Sequence, residues 1–426
     1  MGLQFRKKEP SKPLKASFEF LCLSTIMLAM MNIRIFGTMW TLAMVVIAGT
    51  ILYLARNEIN ARILKQPILV LLPGFYVLSA IWSDEPKISF SLGLQTTLEV
   101  LVAIGISACL TRSQFLRVLF IATTIVCVGS VIYGQKGESA QGLVLIGFLG
   151  SKDAMALFAY LGIMTSIAVL YDPGQKRALK LAVWPVMMIE SWIALTVHAT
   201  AAGIFLALGI FIFLSIHYIL ARSHAARWFS YFMIVFILLS GVLLSTEAVD
   251  IFGSFATQGL GKDATLTGRT VLWDEAFDLI ENSPFLGHGY RSFWLGTSPE
   301  TYRMLAKMGQ TDGHGFHFHE QYLETSVDTG AIGLLILIAT FFTFISRIWR
   351  NVIHNPSSFN AFSMSLVIIY VMRWFFETAF LPFSLDMVLF FALGTAALDP
   401  HEQKIKAPAP AKTIKSRSSL IRIQQR

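Results

Sequence analysis

The chain has 426 residues, 55% of them hydrophobic and 14% charged, with a mean hydropathy of +0.62 and a formal net charge of +8. A soluble protein of this length would need two or three domains with polar surfaces, and about a quarter of its residues charged to cover them. That composition excludes a soluble globular class, and the placement of the basic residues, in alternate segments between apolar runs, excludes a nucleic-acid-binding surface.

Twelve apolar runs have about the 20 residues needed to cross a bilayer: 16–36, 38–55, 67–83, 91–110, 115–133, 153–171, 178–197, 199–220, 228–245, 331–349, 359–380 and 382–398. Hydrocarbon offers no partner to an exposed backbone group, so each is expected to be a helix. Pro73 and Gly74 interrupt the third run, and Gln95 and Glu99 make the fourth more polar. The basic start followed by an apolar run resembles a signal peptide. No small-residue cleavage site follows, and 32–37 leads into another apolar run, so an uncleaved first span is expected. Cys22, Cys109 and Cys127 all lie in apolar runs and are expected to pack rather than form disulfides.

With the N-terminus cytoplasmic, the inner segments hold 24 of the 34 basic residues, loop after loop, as the positive-inside rule requires. This divides the chain into a basic tail (1–15), nine helices (16–245), one long outer loop (246–330), three helices (331–398) and a basic tail (399–426). The last, with Ala407-Pro408-Ala409-Pro410, is expected to be disordered near the anionic inner surface. The expected fold is an all-α polytopic membrane protein, with about 12 transmembrane helices and one large outer loop containing short helices. Any sizeable catalytic surface must then be built from that loop and the outer helix ends.

Ionisable residues inside spans are functional candidates. Here they are Glu99, Glu190, Arg373, Glu377 and, at the edge, Asp386, all in the outer halves of their spans. Arg373 and Glu377 are four residues apart and placed to pair on one helix face. Their common depth suggests a polar cavity opening outwards, whereas a transporter would carry charges at both depths.

The long loop carries two chemically informative stretches. Thr267-Gly268-Arg269-Thr270-Val271-Leu272-Trp273 opens an amphipathic helix with Trp273, Phe277 and Ile280 on one side, expected to dip into the membrane surface. Its free N–H groups and Arg269 suit an anion such as a phosphate; the plain alternative is a headgroup contact. Ser283-Pro284 ends that helix, and Gly287-His288-Gly289-Tyr290 forms a turn. The second stretch runs from Gly313-His314-Gly315-Phe316-His317-Phe318-His319-Glu320 to Asp328-Thr329-Gly330-Ala331-Ile332-Gly333. The histidine spacing matches no zinc pattern. A histidine at a membrane edge is better suited to general-base work.

The Thr-Gly-Arg-x-x-x-Trp segment, the Pro284, Gly287, Gly289 turn, and a later His-x-x-x-Leu segment running into Asp-x-Gly-x-x-Gly together resemble the O-antigen ligase and Wzy-type polysaccharide polymerase superfamily. Within it the chain looks most like an exopolysaccharide polymerase. The motifs cover about 265–335, with a weaker match at Gly150-Ser151-Lys152-Asp153. The resemblance implies a metal-independent glycosyltransferase without a cofactor, in the bacterial inner membrane with both termini cytoplasmic. It would move glycan from an undecaprenyl diphosphate-linked oligosaccharide to an acceptor sugar hydroxyl on the periplasmic face.

By the same resemblance His319 is the base, since Gly330 follows eleven residues later and Gly333 after it, and Arg269 holds the diphosphate. Two departures stand out. Glu320 follows the histidine where the family prefers Asn, Ser or Gln; it is placed to raise the basicity of His319 or to shift which group accepts the proton. His198-Ala199-Thr200-Ala201-Ala202-Gly203 stands where the family often carries a second arginine, leaving Arg373 or Lys152 to substitute. Arg291 and Arg303 are further candidate cations, and Tyr290, Trp294 and Tyr302 candidate sugar-stacking rings. A chain-length-regulating polysaccharide co-polymerase is a further implied partner, beside the lipid bilayer. Ligation to a lipid acceptor uses the same donor chemistry; a transporter and a non-enzymatic scaffold are the alternatives from other classes.

Overall fold

The structure is a computed structural model describing residues 18–33, 36–139, 142–197, 200–219, 264–311, 313, 315–375 and 377–398. It is an all-α membrane protein. The helices before the long loop are α1 (Phe18–Met30), α2 (Gly37–Leu54), α3 (Arg56–Lys65), α4 (Ile68–Leu78), α5 (Pro86–Cys109), α6 (Arg112–Tyr133), α7 (Lys152–Tyr171), α8 (Arg177–Thr196) and α9 (Thr200–Leu214). The loop contributes α10 (Ala264–Asn282), α11 (Ser292–Leu295) and α12 (Pro299–Lys307), followed by α13 (Gln321–His354), α14 (Ser358–Trp374) and α15 (Leu385–Ala397).

Among the described residues, six helices (α2, α5, α6, α7, α8 and α13) are long and apolar enough to cross a membrane. The Arg56–Lys65 and Ile68–Ile81 helices, bent by 95°, make a seventh if that pair is one span. The figure of about 12 is therefore not reached on length and composition, although every expected run except 228–245 coincides with a helix. That run, both tails and the first part of the long loop lie outside the described residues. Two elements were not anticipated. The basic turn after α2 is itself a helix, α3, and the loop after α6 folds into an antiparallel hairpin, β1 (Lys136–Ser139) with β2 (Gly142–Leu145).

Local chemistry sets the helix ends. Pro86 stands in the first turn of α5, where its missing N–H costs nothing. Thr111 and Gln114 cap α6 reciprocally, and Gly134 closes it in the left-handed region.

The turns fall into two sets. In one, Arg112 lies over the Phe359 ring at 5.6 Å and the Arg117 Nε–H donates to Gln175 Oε1 at 3.3 Å. In the other, Trp82 donates to the Leu286 carbonyl, His288 Nδ1 meets Asp84 Oδ2 at 2.8 Å, and Thr297 donates to Glu85. These sets match the two sides that the basic residues define. One large apolar core joins the membrane helices, and a smaller one of Leu272, Ala276, Leu279, Phe293, Trp294, Met304, Leu305, Phe318 and Val327 lies under the long loop.

Candidate active site

The glycines of the two loop motifs have one shared purpose. The backbone of α13 breaks at Gly330, with φ 63° and ψ −166°, a conformation essentially confined to glycine. Breaking a helix frees carbonyls above the break and N–H groups below it. The turn at 284–289 satisfies both. His288 and Gly289 donate to the carbonyls of Val327 and Asp328 at 2.9 and 2.8 Å, while Ala331 and Ile332 donate back to Pro284 and Phe285 at 2.8 and 3.2 Å. The approach is close enough that a Cβ on Gly330 would lie 2.3 Å from the Phe285 carbonyl carbon, and one on Gly287 would lie 2.5 Å from Thr329 N. The two motifs are thus halves of one backbone junction, which fixes how the loop sits on α13.

Arg291 completes the junction. It is 2% exposed, its guanidinium meets Glu324 at 2.5 Å and donates to the Phe316 carbonyl at 2.8 Å, and its backbone N–H donates to Asp328. Every one of these bonds is internal to the protein, so Arg291 is a strut and not a diphosphate ligand. Tyr290 is also removed from the substrate-contacting set. It is 1% exposed and stacks on Tyr76 at 4.1 Å, with its hydroxyl bonded to Thr96 and the Phe380 carbonyl. Burial pushes its phenol well above the ordinary range.

α10 packs through Leu272, Ala276 and Leu279, one residue out of register with the expected membrane-facing set. Trp273 is therefore drawn into the protein, where its indole N–H donates to the Phe318 carbonyl at 3.1 Å, while Phe277 stays 53% exposed. Arg269 lies one turn before Trp273, near enough for its charge to act on His317 and Glu377.

In that segment His317, His319 and Glu377 converge, with their potential ligand atoms all within 4.8 Å of one another. Glu377 Oε1 lies 3.1 Å from His317 Nε2 and 3.5 Å from His319 Nδ1. The second is ion-pair distance without hydrogen-bond geometry, and among the described residues His319 Nδ1 has no hydrogen-bond partner. The rings of His317 and His319 are 4.3 Å apart. His319 itself holds a left-handed backbone, φ 57°, an uncommon state for a non-glycine residue.

The hydrogen bonds assign the tautomer of His317. The His319 backbone N–H donates to His317 Nδ1 at 3.1 Å, so that nitrogen is the acceptor and the ring proton sits on Nε2, facing Glu377. Burial pushes the His317 imidazole down to about 3, against the raising effect of Glu377 and with help from the charges of His319, Arg291 and Arg269. His317 is thus neutral, with Nδ1 accepting a hydrogen bond and Nε2 3.1 Å from the Glu377 carboxylate.

Burial raises the Glu377 carboxyl, but the contact with His319 and the charges of His317, His319 and Arg269 more than compensate, leaving it below the usual range. It is a carboxylate facing an imidazole whose other nitrogen, Nε2, does not face Glu377.

Several expectations are redirected. α14 ends at Trp374, so Glu377 leaves the Arg373 face, and Arg373 pairs instead with Asp386 at 3.0 Å. That carboxylate neutralises Arg373, which lines a cavity of about 60 Å³ with Tyr160, Tyr370 and Asp386. Glu320 does not support His319: its side chain turns onto the N-terminus of α13 and accepts from the Leu323 N–H, and burial pushes it up to about 7. Arg303 is largely exposed, 3.8 Å from Glu275. Lys152 opens α7, whose next turn lines the Arg373 cavity. Trp294 is buried and Tyr302 exposed. His314, His198 and Ala199 lie outside the described residues. Sequence reading flagged Glu377 but gave it the wrong partner, and it missed His317's role, which only the backbone bond from His319 reveals.

Residues 186–338 match the family model described as O-Antigen ligase. The chain is also 27% identical over 285 residues to the exopolysaccharide production protein ExoQ of Rhizobium meliloti (strain 1021), covering 64% of each protein, so the match spans less than two thirds of that relative. The family match takes in α10, the 284–289 turn, the histidine segment and the Gly330 break, the parts whose junction holds the candidate site. Over these residues the chain is thus similar to the O-antigen ligase family and, more broadly, to a protein of exopolysaccharide production.

Proposed function

We propose that this protein is a metal-independent polysaccharide polymerase, transferring glycan repeat units from an undecaprenyl diphosphate-linked donor to an acceptor sugar hydroxyl at the periplasmic face of the inner membrane. The observation that carries the reading is the His319–Glu377 pair, backed by His317 and overlooked by the helix bearing Arg269. Glu377 favours the His319 tautomer protonated on Nδ1, which leaves the Nε2 lone pair for the acceptor hydroxyl. As Nε2 takes that proton, the acceptor oxygen bonds to the anomeric carbon. The bond from that carbon to the diphosphate oxygen breaks, and the lipid diphosphate leaves with both electrons.

Arg269 is the cation for the charge that develops on the diphosphate. Arg291 is internally paired and Arg373 is neutralised by Asp386, which leaves Arg269 as the foremost of the sequence-nominated cations. Lys152 and Arg303 remain secondary contacts of the glycan or diphosphate. A lipid donor accounts for a site at the bilayer edge, since its polyprenyl tail stays in hydrocarbon.

Purified protein incubated with a lipid diphosphate-linked oligosaccharide, with and without a chelator, followed by product sizing, tests the proposal. Long carrier-linked chains formed equally in both conditions are expected. The match to a model described as O-Antigen ligase favours a second reading, transfer to a lipid acceptor; glycan found on a different acceptor would select it. A chain-length-regulating co-polymerase would be identified by a change in the product length distribution.

A further inference from the structure

The described residues between α14 and α15 (375 and 377–384) are not helical. Backbone N–H groups buried without a partner are costly. Two side chains from other helices take them up. Gln321 Oε1 accepts from both Ala379 N and Phe380 N, at 2.9 and 2.8 Å, and Glu99 Oε1 accepts from Phe383 N at 2.6 Å. Gln321 is 2% exposed, and its own amide donates to Thr325 Oγ1 at 3.1 Å, which fixes the orientation of its oxygen. Glu99 is likewise buried, at 4%.

Gln321 stands two residues after His319, in the first turn of α13, while the N–H groups it holds lie two and three residues after Glu377. We propose that Gln321 is a positioning residue that couples the imidazole and its carboxylate into one rigid unit, with Glu99 anchoring the far end of the same segment. Neither side chain touches the reacting atoms. Withdrawing the Gln321 oxygen frees the Glu377 segment to drift from His319, and displacements near 1 Å cost about 100-fold in comparable arrangements. The inference rests on the His319–Glu377 reading and extends it to a residue that burial alone would assign to packing.

The test is a double-mutant cycle in the polymer assay. Gln321→Leu keeps the volume and removes the acceptor; Gln321→Glu keeps an acceptor. The leucine variant should lower kcat about 10–100-fold with little change in KM, at an unchanged melting temperature in detergent. Glutamate should restore kcat to within a few-fold. In a Glu377→Gln background the leucine substitution should have almost no further effect, because the carboxylate through which Gln321 acts is gone. Equal slowing in both backgrounds, or a wild-type rate for Gln321→Leu, overturns the positioning role while leaving the dyad intact. Full activity of Glu377→Gln alone overturns the dyad and this inference with it. Where the leucine variant does not insert, Gln321→Asn, which retracts the same oxygen by one methylene, carries the comparison.

Discussion

Trp273 and Phe318, 45 residues apart in the chain, are joined by an indole N–H to carbonyl bond of 3.1 Å. That bond connects the two sequence motifs of the long loop. It ties α10 to the backbone carbonyl between His317 and His319, and so brings Arg269, one turn earlier, to bear on the imidazole–carboxylate cluster. The physical reason is the indole's single donor: turned towards the protein it must find an acceptor, and the Phe318 carbonyl provides it.

Removing the imidazole should abolish polymer formation without unfolding the chain. His319 is half-buried, and among the described residues its Nδ1 has no hydrogen-bond partner, so His319→Ala is expected to insert normally. Loss of about 10²-fold or more in transfer is expected from losing a general base. Normal polymer output from a folded His319→Ala protein ends the assignment.

Arg269→Lys retains the charge and loses the planar fork that fits a diphosphate bidentately. Removing a fixed donor from a developing negative charge typically costs about 10²–10³-fold, and the lysine variant should lose an appreciable part of that. Steady-state kinetics with a lipid-linked donor measure it. Undiminished turnover would reduce Arg269 to a headgroup contact.

Arg291→Met should act on stability rather than on substrate affinity. It leaves Glu324 buried without its partner, a change worth about 3–5 kcal/mol in comparable buried pairs. The expected result is a lowered melting temperature and poor yield in detergent. A stable variant with a raised donor KM would return Arg291 to the substrate-binding set.

Gly330→Ala should be worse tolerated than alanine at Gly203. The Gly330 conformation strains any side chain by about 1–3 kcal/mol, and its Cβ would also meet the Phe285 backbone, whereas Gly203 has open space around it. Comparison of folded yields checks the ranking.

Two shifted groups give the site opposing pH dependences. His317 has a folded value of about 3 against an ordinary 6.5, so the unfolded chain binds more protons between those values, and stability is lost as pH falls through them. Glu320 has a folded value of about 7 against an ordinary 4.5, so the folded chain binds more protons, and stability is lost as pH rises from 4.5 to 7. Glu320→Gln keeps the capping acceptor and removes the titration. Because the two dependences oppose each other between pH 4.5 and 6.5, the variant should unmask a rise in melting temperature with pH across that window and leave the acid-side loss in place. A profile between pH 4.5 and 7 unchanged from the parent would mean that Glu320 does not titrate against His317.

The membrane class, the positions of most described helices and the alternation of basic segments were legible in the primary sequence. These follow from hydropathy over about 20 residues and from local turn residues such as Pro284, Gly287 and Gly289, signals contained within short stretches. Tertiary structure alone decided which ionisable groups meet. Arg373 and Glu377 sit at helical spacing, but α14 ends between them, so Arg373 turns to Asp386 and Glu377 to the histidines. Arg291 and Arg269 are equally plausible cations in the primary sequence, yet one is sealed by Glu324 and the other is carried on a helix beside the imidazoles. Charge partnership depends on distances of a few ångströms between segments far apart in the chain, and no local pattern encodes those.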